Sequence, residues 1–493
     1  MEKNNSGTKI TSGLFWTYGE RITAQGISLI VSVILARLLS PDEYGVISIV
    51  MIFISLCDAL VTGGFGNSLI QKKDADDIDF ATMLYCGLIL STVLYCLLYF
   101  CSPFIATFYD NGILVPVIRV LAIRIPISGV NSIQQARIQK KMDFKKFFFA
   151  TLGGTIISAV IGIVMAYRGY GVWALVAQYL SNTIIDTIVL FILEGWHPRL
   201  VFSFKRAKNL LGFGWKVLAF TMVYTIEGNF RSLVVGKVFG SAELAYYEQG
   251  KKFPNVIVSN INTSISKVMF PALALQQDDR DRLKRMCRRS VKTGIFLLAP
   301  LLVGLMACAD DFVSVILTDK WMSCVPFLRI LSIVFLVRPL TTTSQQAILA
   351  IGRSDVMLKI ELVINILAVS LLVISAFGFR SLILVAWSNV VTETVGLLMF
   401  MYYEKRLIQY HLKEQLVDLL PSLFVSLSMG MVVYSIHFIP IVPVVRLFFQ
   451  VLIGSCTYFM ISVLLKMEAL KYLLNMMAEK MHIKILYKLI DRM

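Results

Sequence analysis

The chain alternates long apolar stretches with short polar ones along almost its whole length. About 20 mostly apolar residues are enough to cross the hydrocarbon core of a bilayer as an α-helix. Strands of a membrane barrel would instead show alternation over about ten residues. Fourteen apolar stretches of helical length cover 14–39, 44–70, 80–108, 113–138, 147–167, 171–193, 209–239, 243–275, 290–317, 322–350, 356–378, 380–403, 415–438 and 442–466. The pattern predicts an all-α polytopic membrane protein with about 14 transmembrane helices.

Composition supports this prediction and excludes several other classes of protein. Of the 493 residues, 57% are hydrophobic and 16% are charged, whereas soluble globular chains carry about 25% charged residues. The eight cysteines show no Cys-x-x-Cys spacing and the four histidines lie far apart, so neither a disulfide scaffold nor a metal site is indicated. No GK[ST] phosphate loop and no HExxH sequence is present. We therefore predict neither catalytic residues nor metal ligands.

Basic residues are distributed unevenly between the two sides of the membrane. When the polar segments are assigned to alternate sides, 31 Lys and Arg residues fall on one side and 6 on the other. Cytoplasmic segments are enriched in Lys and Arg, so the excess predicts an even number of spans with both termini in the cytoplasm. It also accounts for the net charge of +16 without a nucleic-acid partner. The basic side comprises the N-terminus, 71–79, 137–146, 194–208, 276–292, 353–359, 405–413 and the tail after 465.

An internal repeat relates the two halves of the chain. Residues 33–45, VILARLLSPDEYG, align without gaps on residues 233–245, LVVGKVFGSAELA. Each segment ends one long span and opens the next, so the repeat shift is six spans and both halves keep the same orientation. Such parallel repeats are related by an axis along the membrane normal.

Three predicted spans carry polar residues along one helical face. At 100° per residue, Lys216, Glu227 and Arg231 share a face of the 209–239 span. The other two faces comprise Lys252, Asn255, Ser259, Asn262 and Ser266 in 243–275, and Arg124, Ser128, Asn131 and Gln135 in 113–138. Lipid cannot solvate such groups, so they indicate a water-accessible cavity. The alternative is polar contact between helices, which suits the pairs Asn182/Asp186, Glu361/Asn365 and Asn389/Glu393.

The ionisable residues inside the spans are the candidate functional residues. A charged side chain at the centre of a span costs about 2.5–3.5 kcal/mol, and clustered cations would repel one another unless an anion joined them. The candidate substrate-binding residues are Arg21, Arg119, Arg124, Lys216, Arg231, Lys251, Lys252 and Lys267. The candidate polar or ion-coupling residues of the cavity are Glu20, Asp58, Glu227, Asn255 and Asn262. Together they predict a cationic cavity for an anionic substrate.

Several segments resemble the polysaccharide-export flippases of the Wzx type, a family of lipopolysaccharide or teichuronic-acid biosynthesis proteins in the MATE-like multidrug/oligosaccharidyl-lipid/polysaccharide superfamily. They are 34–49 (ILARLLSPDEYGVISI), 136–147 (ARIQKKMDFKKF), 195–215 (GWHPRLVFSFKRAKNLLGFGW), 234–255 (VVGKVFGSAELAYYEQGKKFPN), 266–284 (SKVMFPALALQQDDRDRLK) and 347–361 (AILAIGRSDVMLKIE). One departure concerns Arg231, which stands where relatives commonly carry an acidic residue and makes the expected site more cationic.

The resemblance implies a fold of two six-helix bundles around a central cavity, with two further C-terminal helices. The domain boundaries expected on this basis are 1–194 for the first bundle, 195–208 for a basic cytoplasmic linker, 209–404 for the second bundle and 405–493 for the last two helices with a basic tail.

The resemblance also implies a function. Members of the family are thought to move undecaprenyl-pyrophosphate-linked oligosaccharides to the outer leaflet of the bacterial cytoplasmic membrane. No cofactor is expected, and a proton or sodium ion is the candidate coupling ion. The expected partners are the lipid-linked anionic oligosaccharide and membrane lipids, with a polysaccharide polymerase and glycosyltransferases as candidate protein partners. Two alternatives stay open: a cation-coupled multidrug antiporter of the same superfamily, and a membrane glycosyltransferase or polymerase.

Overall fold

The computed structural model describes residues 2–196, 198 and 200–481, without the side chains of 2–15, 17, 18, 213, 216, 220, 476, 477 and 479–481. Within these residues the chain is helical. The α-helices are α1 (Glu2–Leu38), α2 (Pro41–Thr62), α3 (Phe65–Gln71), α4 (Asp77–Phe108), α5 (Leu114–Leu121), α6 (Arg124–Lys141), α7 (Phe144–Tyr167), α8 (Val172–Glu194), α9 (Phe204–Phe239), α10 (Ser241–Ala274), α11 (Arg280–Ala307), α12 (Ala309–Ile316), α13 (Val325–Ala350), α14 (Ser354–Val373), α15 (Leu382–Ile408), α16 (Leu412–Ser435), α17 (Pro443–Leu464) and α18 (Glu468–Met481).

The prediction of an all-α polytopic membrane protein is confirmed. Every predicted stretch lies on one helix or on two consecutive helices, as with α2 and α3 or α5 and α6. Among the described residues, 12 helical segments are long and apolar enough to span a membrane, or 13 if the two parts of α9, bent by 53°, form one span. The charged helix α10 is not among the 12. The count of 14 is therefore close to the observed number but stays a prediction.

Local sequence explains where individual spans begin. At the start of α2, the backbone N–H of Glu43 donates to the Ser40 hydroxyl at 3.3 Å, and the Glu43 carboxylate accepts from the Ser40 backbone N–H at 2.7 Å. This reciprocal arrangement satisfies donors that the first turn of a helix leaves open. Pro41 at the first helical position favours the same start, because its missing N–H would have had no partner there.

The chain forms two compact units, one ending at Ala245 and the other beginning at Tyr246. The boundary falls inside α10, and α9 packs within the first unit against α2, α3 and α4. The expected division into bundles at 1–194 and 209–404, with 195–208 and 405–493 outside them, stays a prediction about the repeat.

The joints of the predicted repeat contact each other in the first unit. One joint connects α1 to α2 and the other connects α9 to α10, at equivalent positions of the aligned segments. The Ser241 hydroxyl donates to the Asp42 carboxylate at 3.0 Å. A Cβ atom added at Gly45 would lie 1.9 Å from the carbonyl oxygen of Ser241. Glycine at this position therefore permits an approach of backbone to backbone that no other residue would allow.

Ion pairs connect three of the predicted basic segments to one another at one end of the first unit. The buried carboxylate of Glu194 accepts from Arg137 Nε at 3.0 Å and from Lys146 Nζ at 3.2 Å. Arg206 pairs with Asp76, and this contact holds the pKa of the Asp76 carboxyl down at about 2. The segments brought together are 71–79, 137–146 and 194–208. Their assignment to a common side of the membrane is thereby supported.

In the second unit, ion pairs lie near both ends of α11. At one end, Lys284 Nζ lies 2.7 Å from Glu414 and Lys292 Nζ lies 2.7 Å from Glu468. These pairs join the basic segment 276–292 to the first turns of α16 and α18. At the other end, the buried Asp311 carboxylate lies 2.9 Å from Arg446 Nε and accepts from Gln450 at 3.0 Å. The distribution of Lys and Arg predicts that the end with segment 276–292 faces the cytoplasm.

Topology reporters can test that orientation. Fusions after residues 75, 141, 285 and 409 are expected to report a cytoplasmic position, and fusions after 110, 320 and 440 an outer position, because positive charge is retained on the cytoplasmic side. Paired alkaline phosphatase and fluorescent-protein fusions would measure this. A cytoplasmic signal at 320 combined with an outer signal at 285 would contradict the orientation of the second unit.

Candidate functional site

The polar face of α6 meets a carboxylate of α2 in the first unit. Arg124 Nη2 lies 3.7 Å from Asp58 Oδ2, a distance too long for a strong hydrogen-bonded ion pair. Ser128, one turn along α6, interacts with the same carboxylate. Asp58 Oδ1 and Arg124 Nε are buried and have no hydrogen-bond partner within the described part of the chain. Both groups thus keep hydrogen-bonding capacity that the described residues do not use.

Farther along α6, the polar face connects to α8. Asn131 donates to Asp186 at 2.9 Å and to the Thr187 hydroxyl at 2.9 Å. Its own carbonyl oxygen accepts from Gln135 at 2.6 Å. With a rise of 1.5 Å per residue, the face from Arg124 to Gln135 extends over about 17 Å. The polar face of α6, called the polar track below, therefore meets α2 near Arg124 and α8 near Asn131.

Glu20 of α1 lies beside this track. Its carboxylate interacts with Thr151 of α7 and is within electrostatic reach of Arg21 and Asp186. A cavity of about 100 Å³ is lined by Glu20 together with Gln139, Phe144 and Phe147. Glu20, Arg21, Asp58 and Arg124 are all half-buried residues of the first unit, and their role in a substrate cavity stays a prediction.

Arg119 has a different environment from Arg124. Its Nε donates to the Ser102 hydroxyl at 3.1 Å, and its guanidinium carbon lies 4.3 Å from the centre of the Tyr99 ring. Both partners belong to α4. A guanidinium over an aromatic face contributes about 0.5–2 kcal/mol, so these contacts hold Arg119 against α4, and its role in substrate binding stays a prediction.

The repeat helices α9 and α10 expose several of the candidate polar residues. On α9, Glu227 is exposed and Arg231 is half-buried, whereas the side chain of Lys216 lies outside the described residues. On α10, the exposed members are Asn255 and Lys267. Exposed polar groups on a span require water rather than lipid around them. The water-accessible cavity predicted from these faces is consistent with their exposure and stays a prediction.

The remaining candidates on α10 are half-buried. Lys251 Nζ lies 3.7 Å from Glu248 on the same helix, one turn away. Lys252 is half-buried in the second unit. Asn262 Oδ1 is buried and has no hydrogen-bond partner among the described residues. No described contact assigns a substrate to Lys251, Lys252 or Asn262, and their binding role remains a proposal.

The interpretation of three polar pairs as contacts between helices is confirmed. One member of each pair bonds to another helix: Asn182 donates to Ser158 at 3.3 Å, Glu361 accepts from Gln345 at 3.5 Å, and Asn389 donates to Tyr247 at 3.2 Å. These three residues therefore contribute to helix packing.

Several residues that position charged side chains were not predicted from the sequence. Tyr99 and Ser102, which position Arg119, are ordinary residues of an apolar span. The buried carboxylate of Asp418 accepts from Arg288 at 2.6 and 2.8 Å. The only sequence signal for it was an acidic residue in an otherwise apolar span near a basic end. Within the described residues, no group of three or more His, Cys, Asp or Glu side chains is placed to hold a metal ion.

The sequence matches a known protein family and a known relative. A family model described as "Polysaccharide biosynthesis protein" matches residues 34–326. The teichuronic acid biosynthesis protein TuaB of Bacillus subtilis (strain 168) is 24% identical over 436 residues, which are 87% of this chain and 89% of that protein.

Two solved structures share the fold. The lipid II flippase MurJ in an inward closed conformation superposes with a TM-score of 0.72 at 16% identity, covering 92% of this chain and 98% of that chain. The inward-facing conformation of a multidrug resistance MATE family transporter of the MOP superfamily gives a TM-score of 0.60 at 15% identity, covering 78% and 95%. The MATE-like fold expected from the sequence is confirmed.

Proposed function

The chain belongs to the family of polysaccharide biosynthesis proteins, and we propose that it moves a lipid-linked oligosaccharide across the bacterial cytoplasmic membrane. It is a multi-pass membrane transporter rather than an enzyme. The substrate we infer is an oligosaccharide on undecaprenyl pyrophosphate, and cell-surface polysaccharide biosynthesis is the process that it serves.

The observation that supports this proposal most directly is the loose pairing of Arg124 with Asp58. A pyrophosphate carries about two negative charges, and charge-assisted hydrogen bonds to Arg are among the strongest that a protein can offer. Arg124 lies 3.7 Å from Asp58, and its buried Nε has no partner among the described residues. A phosphate can therefore replace the Asp58 carboxylate as the partner of Arg124. Arg21 and Arg231 are further cations of the first unit that we propose for the same substrate.

Transport follows from the fold by alternating access. In parallel-repeat transporters, the two halves rock so that a site opens to each side in turn. Asp58 then provides the counter-charge for Arg124 when the substrate has left, and Glu20 is the carboxylate that we propose for coupling to a proton or sodium ion. Lys216, Lys251, Lys252, Lys267, Glu227, Asn255 and Asn262 remain proposed contributors to binding.

Replacement of Arg124 tests the binding role. Arg124→Gln is expected to weaken binding of undecaprenyl pyrophosphate by about 1.5–3 kcal/mol, the range for a hydrogen bond to a charged group, which is about 10- to 150-fold in Kd. Asp58→Asn is expected to tighten binding, because it removes the carboxylate that competes for Arg124. Native mass spectrometry of the purified protein measures both. Arg168→Gln, an exposed arginine at the end of α7, is the matched control.

The opposite pattern would contradict a substrate role for Arg124. If Arg124 serves only to pair Asp58, Arg124→Gln leaves a buried charge alone and lowers the melting temperature while binding stays unchanged.

In cells, deletion of the protein is expected to leave its lipid-linked glycan on the cytoplasmic leaflet, and analysis of that lipid identifies the glycan. We propose the polymerase and glycosyltransferases of that glycan's pathway as candidate partners.

A further inference from the structure

A basic cleft of about 420 Å³ lies between α11 and α18 in the second unit. Four cations of α11 line it, and Glu468, Ala469 and Tyr472 of α18 form the opposite wall. The four cations are Arg285, Arg288, Arg289 and Lys292. The cleft is separate from the polar track of α6, which belongs to the first unit, and the transport proposal does not use it.

Two of the four cations have their charge balanced within the protein. Arg288 donates twice to Asp418, at 2.6 and 2.8 Å. Lys292 lies 3.2 Å from Asp418 and 2.7 Å from Glu468. Two carboxylates thus balance these two cations.

The other two cations have no carboxylate partner among the described residues. Arg285 is exposed and makes no ion pair with the part of the chain that the structure describes. Arg289, also exposed, places its guanidinium carbon 3.5 Å from the centre of the Tyr472 ring instead of against a carboxylate. Two positive charges therefore remain on one wall of the cleft, and an anion would be attracted to them.

The cleft lies at the level where α11 enters the apolar layer. The apolar part of α11 begins at Ile295, about 9 Å along the axis from Arg289 at 1.5 Å per residue. The headgroup region on each side of a bilayer is about 5–8 Å deep, so a guanidinium at this position reaches the phosphate level. On α18, Leu470 and Leu474 pack in one cluster with Phe296 of α11. This packing holds α18 beside the start of the apolar segment.

The same row of α11 continues from the cleft to exposed apolar residues. Steps of four residues lead from Arg285 and Arg289 through Thr293 to Leu297 and Leu301. Thr293 lines the cleft, whereas Leu297 is 40% exposed and Leu301 is 52% exposed. Neighbours at i and i+4 form a ridge on a helix surface. The ridge thus carries cations at one end and exposed apolar side chains at the other, with no polar residue between Thr293 and Leu301 in these steps.

We propose that this cleft binds the headgroup of an anionic phospholipid. The phosphodiester lies between Arg285 and Arg289, and the acyl chains follow Leu297 and Leu301. A free phosphate would use the two arginines equally well, but it would leave the apolar half of the ridge unused. Because α18 forms the second wall, a bound lipid also strengthens the attachment of this helix to α11.

Binding to the full-length protein in detergent tests the proposal, with dioctanoyl phosphatidylglycerol as the probe. We expect retained lipid in native mass spectra and a rise in melting temperature. Dioctanoyl phosphatidylcholine and inorganic phosphate are the comparison ligands, and each is expected to give a much smaller rise. Equal stabilisation by inorganic phosphate would assign the cleft to a free anion and overturn the lipid proposal. Equal binding of the zwitterionic lipid would show that the cations do not select the ligand.

Charge-removing variants locate the site. Arg285→Gln is expected to raise the Kd for phosphatidylglycerol about tenfold, and Arg285→Gln with Arg289→Gln at least that much. Arg285 makes no described contact, so the single variant should keep the fold even if loss of the Tyr472 contact affects the double variant. The matched control is Arg280→Gln with Arg282→Gln, which removes two exposed charges from the first turn of the same helix, outside the cleft. Unchanged binding in Arg285→Gln, or an equal loss in the control, would contradict a localised headgroup site.

Discussion

Asp418→Asn is expected to lower the free energy of unfolding by about 3 kcal/mol. The Asp418 carboxylate is 3% exposed. It accepts from Arg288 at 2.6 and 2.8 Å and from Tyr410 at 2.8 Å, with Lys292 at 3.2 Å. Removing one partner of a buried pair costs about 3–5 kcal/mol, because the other charge is left uncompensated. We expect the lower end of that range since Arg288 and Lys292 are partly exposed. Thermal unfolding in detergent measures the loss.

Glu414→Gln is the matched control for this variant. Glu414 lies one turn earlier on α16 and pairs with Lys284 at 2.7 Å, but its side chain is 34% exposed. An exposed ion pair contributes about 0–1 kcal/mol, so the control should unfold almost as the parent protein does. Equal destabilisation by both variants would show that burial of the carboxylate is not what determines the cost.

Gly45→Ala is expected to destabilise the observed conformation by about 2–3 kcal/mol. The added Cβ would lie 1.9 Å from the carbonyl oxygen and 2.3 Å from the carbonyl carbon of Ser241. Because these are backbone atoms, no side-chain rotation relieves the clash, and the joint between α1 and α2 must move away from the joint between α9 and α10. Overpacking of this kind costs about 1–3 kcal/mol. Thermal unfolding gives the energy, and cross-linking between cysteines introduced at Asp42 and Ser241 reports the separation.

Gly26→Ala provides the control for the glycine substitution. Gly26 lies within α1, and a Cβ there would meet no atom within 4 Å. Alanine in a helix interior is favoured over glycine by about 0.5–1 kcal/mol, so this variant should be unchanged or slightly more stable. If Gly45→Ala behaved in the same way, the close approach of the two joints would not be a feature of the folded protein.

Periodicity within single helices predicted the polar face of α6. The face of Arg124, Ser128, Asn131 and Gln135 follows from helical geometry alone, and the structure shows polar partners along it. Periodicity could not distinguish Arg119 from Arg124, because both are arginines in the same predicted span. Their environments differ because α4 places Tyr99 against Arg119, whereas α2 places Asp58 near Arg124.

The sequence by itself determined the helical spans, the alternation of their ends and the position of the repeat joints. Lipid provides no hydrogen-bond partners, so an apolar stretch of sufficient length must satisfy its backbone internally as a helix, and short connections then alternate sides. Only the tertiary structure decided which helix each polar face meets. The pairing of Asp418 with Arg288, the contact of Gly45 with Ser241 and the cleft between α11 and α18 all join residues more than 120 positions apart. The spacing of residues along one helix sets which side chains share a face, but packing sets what that face contacts.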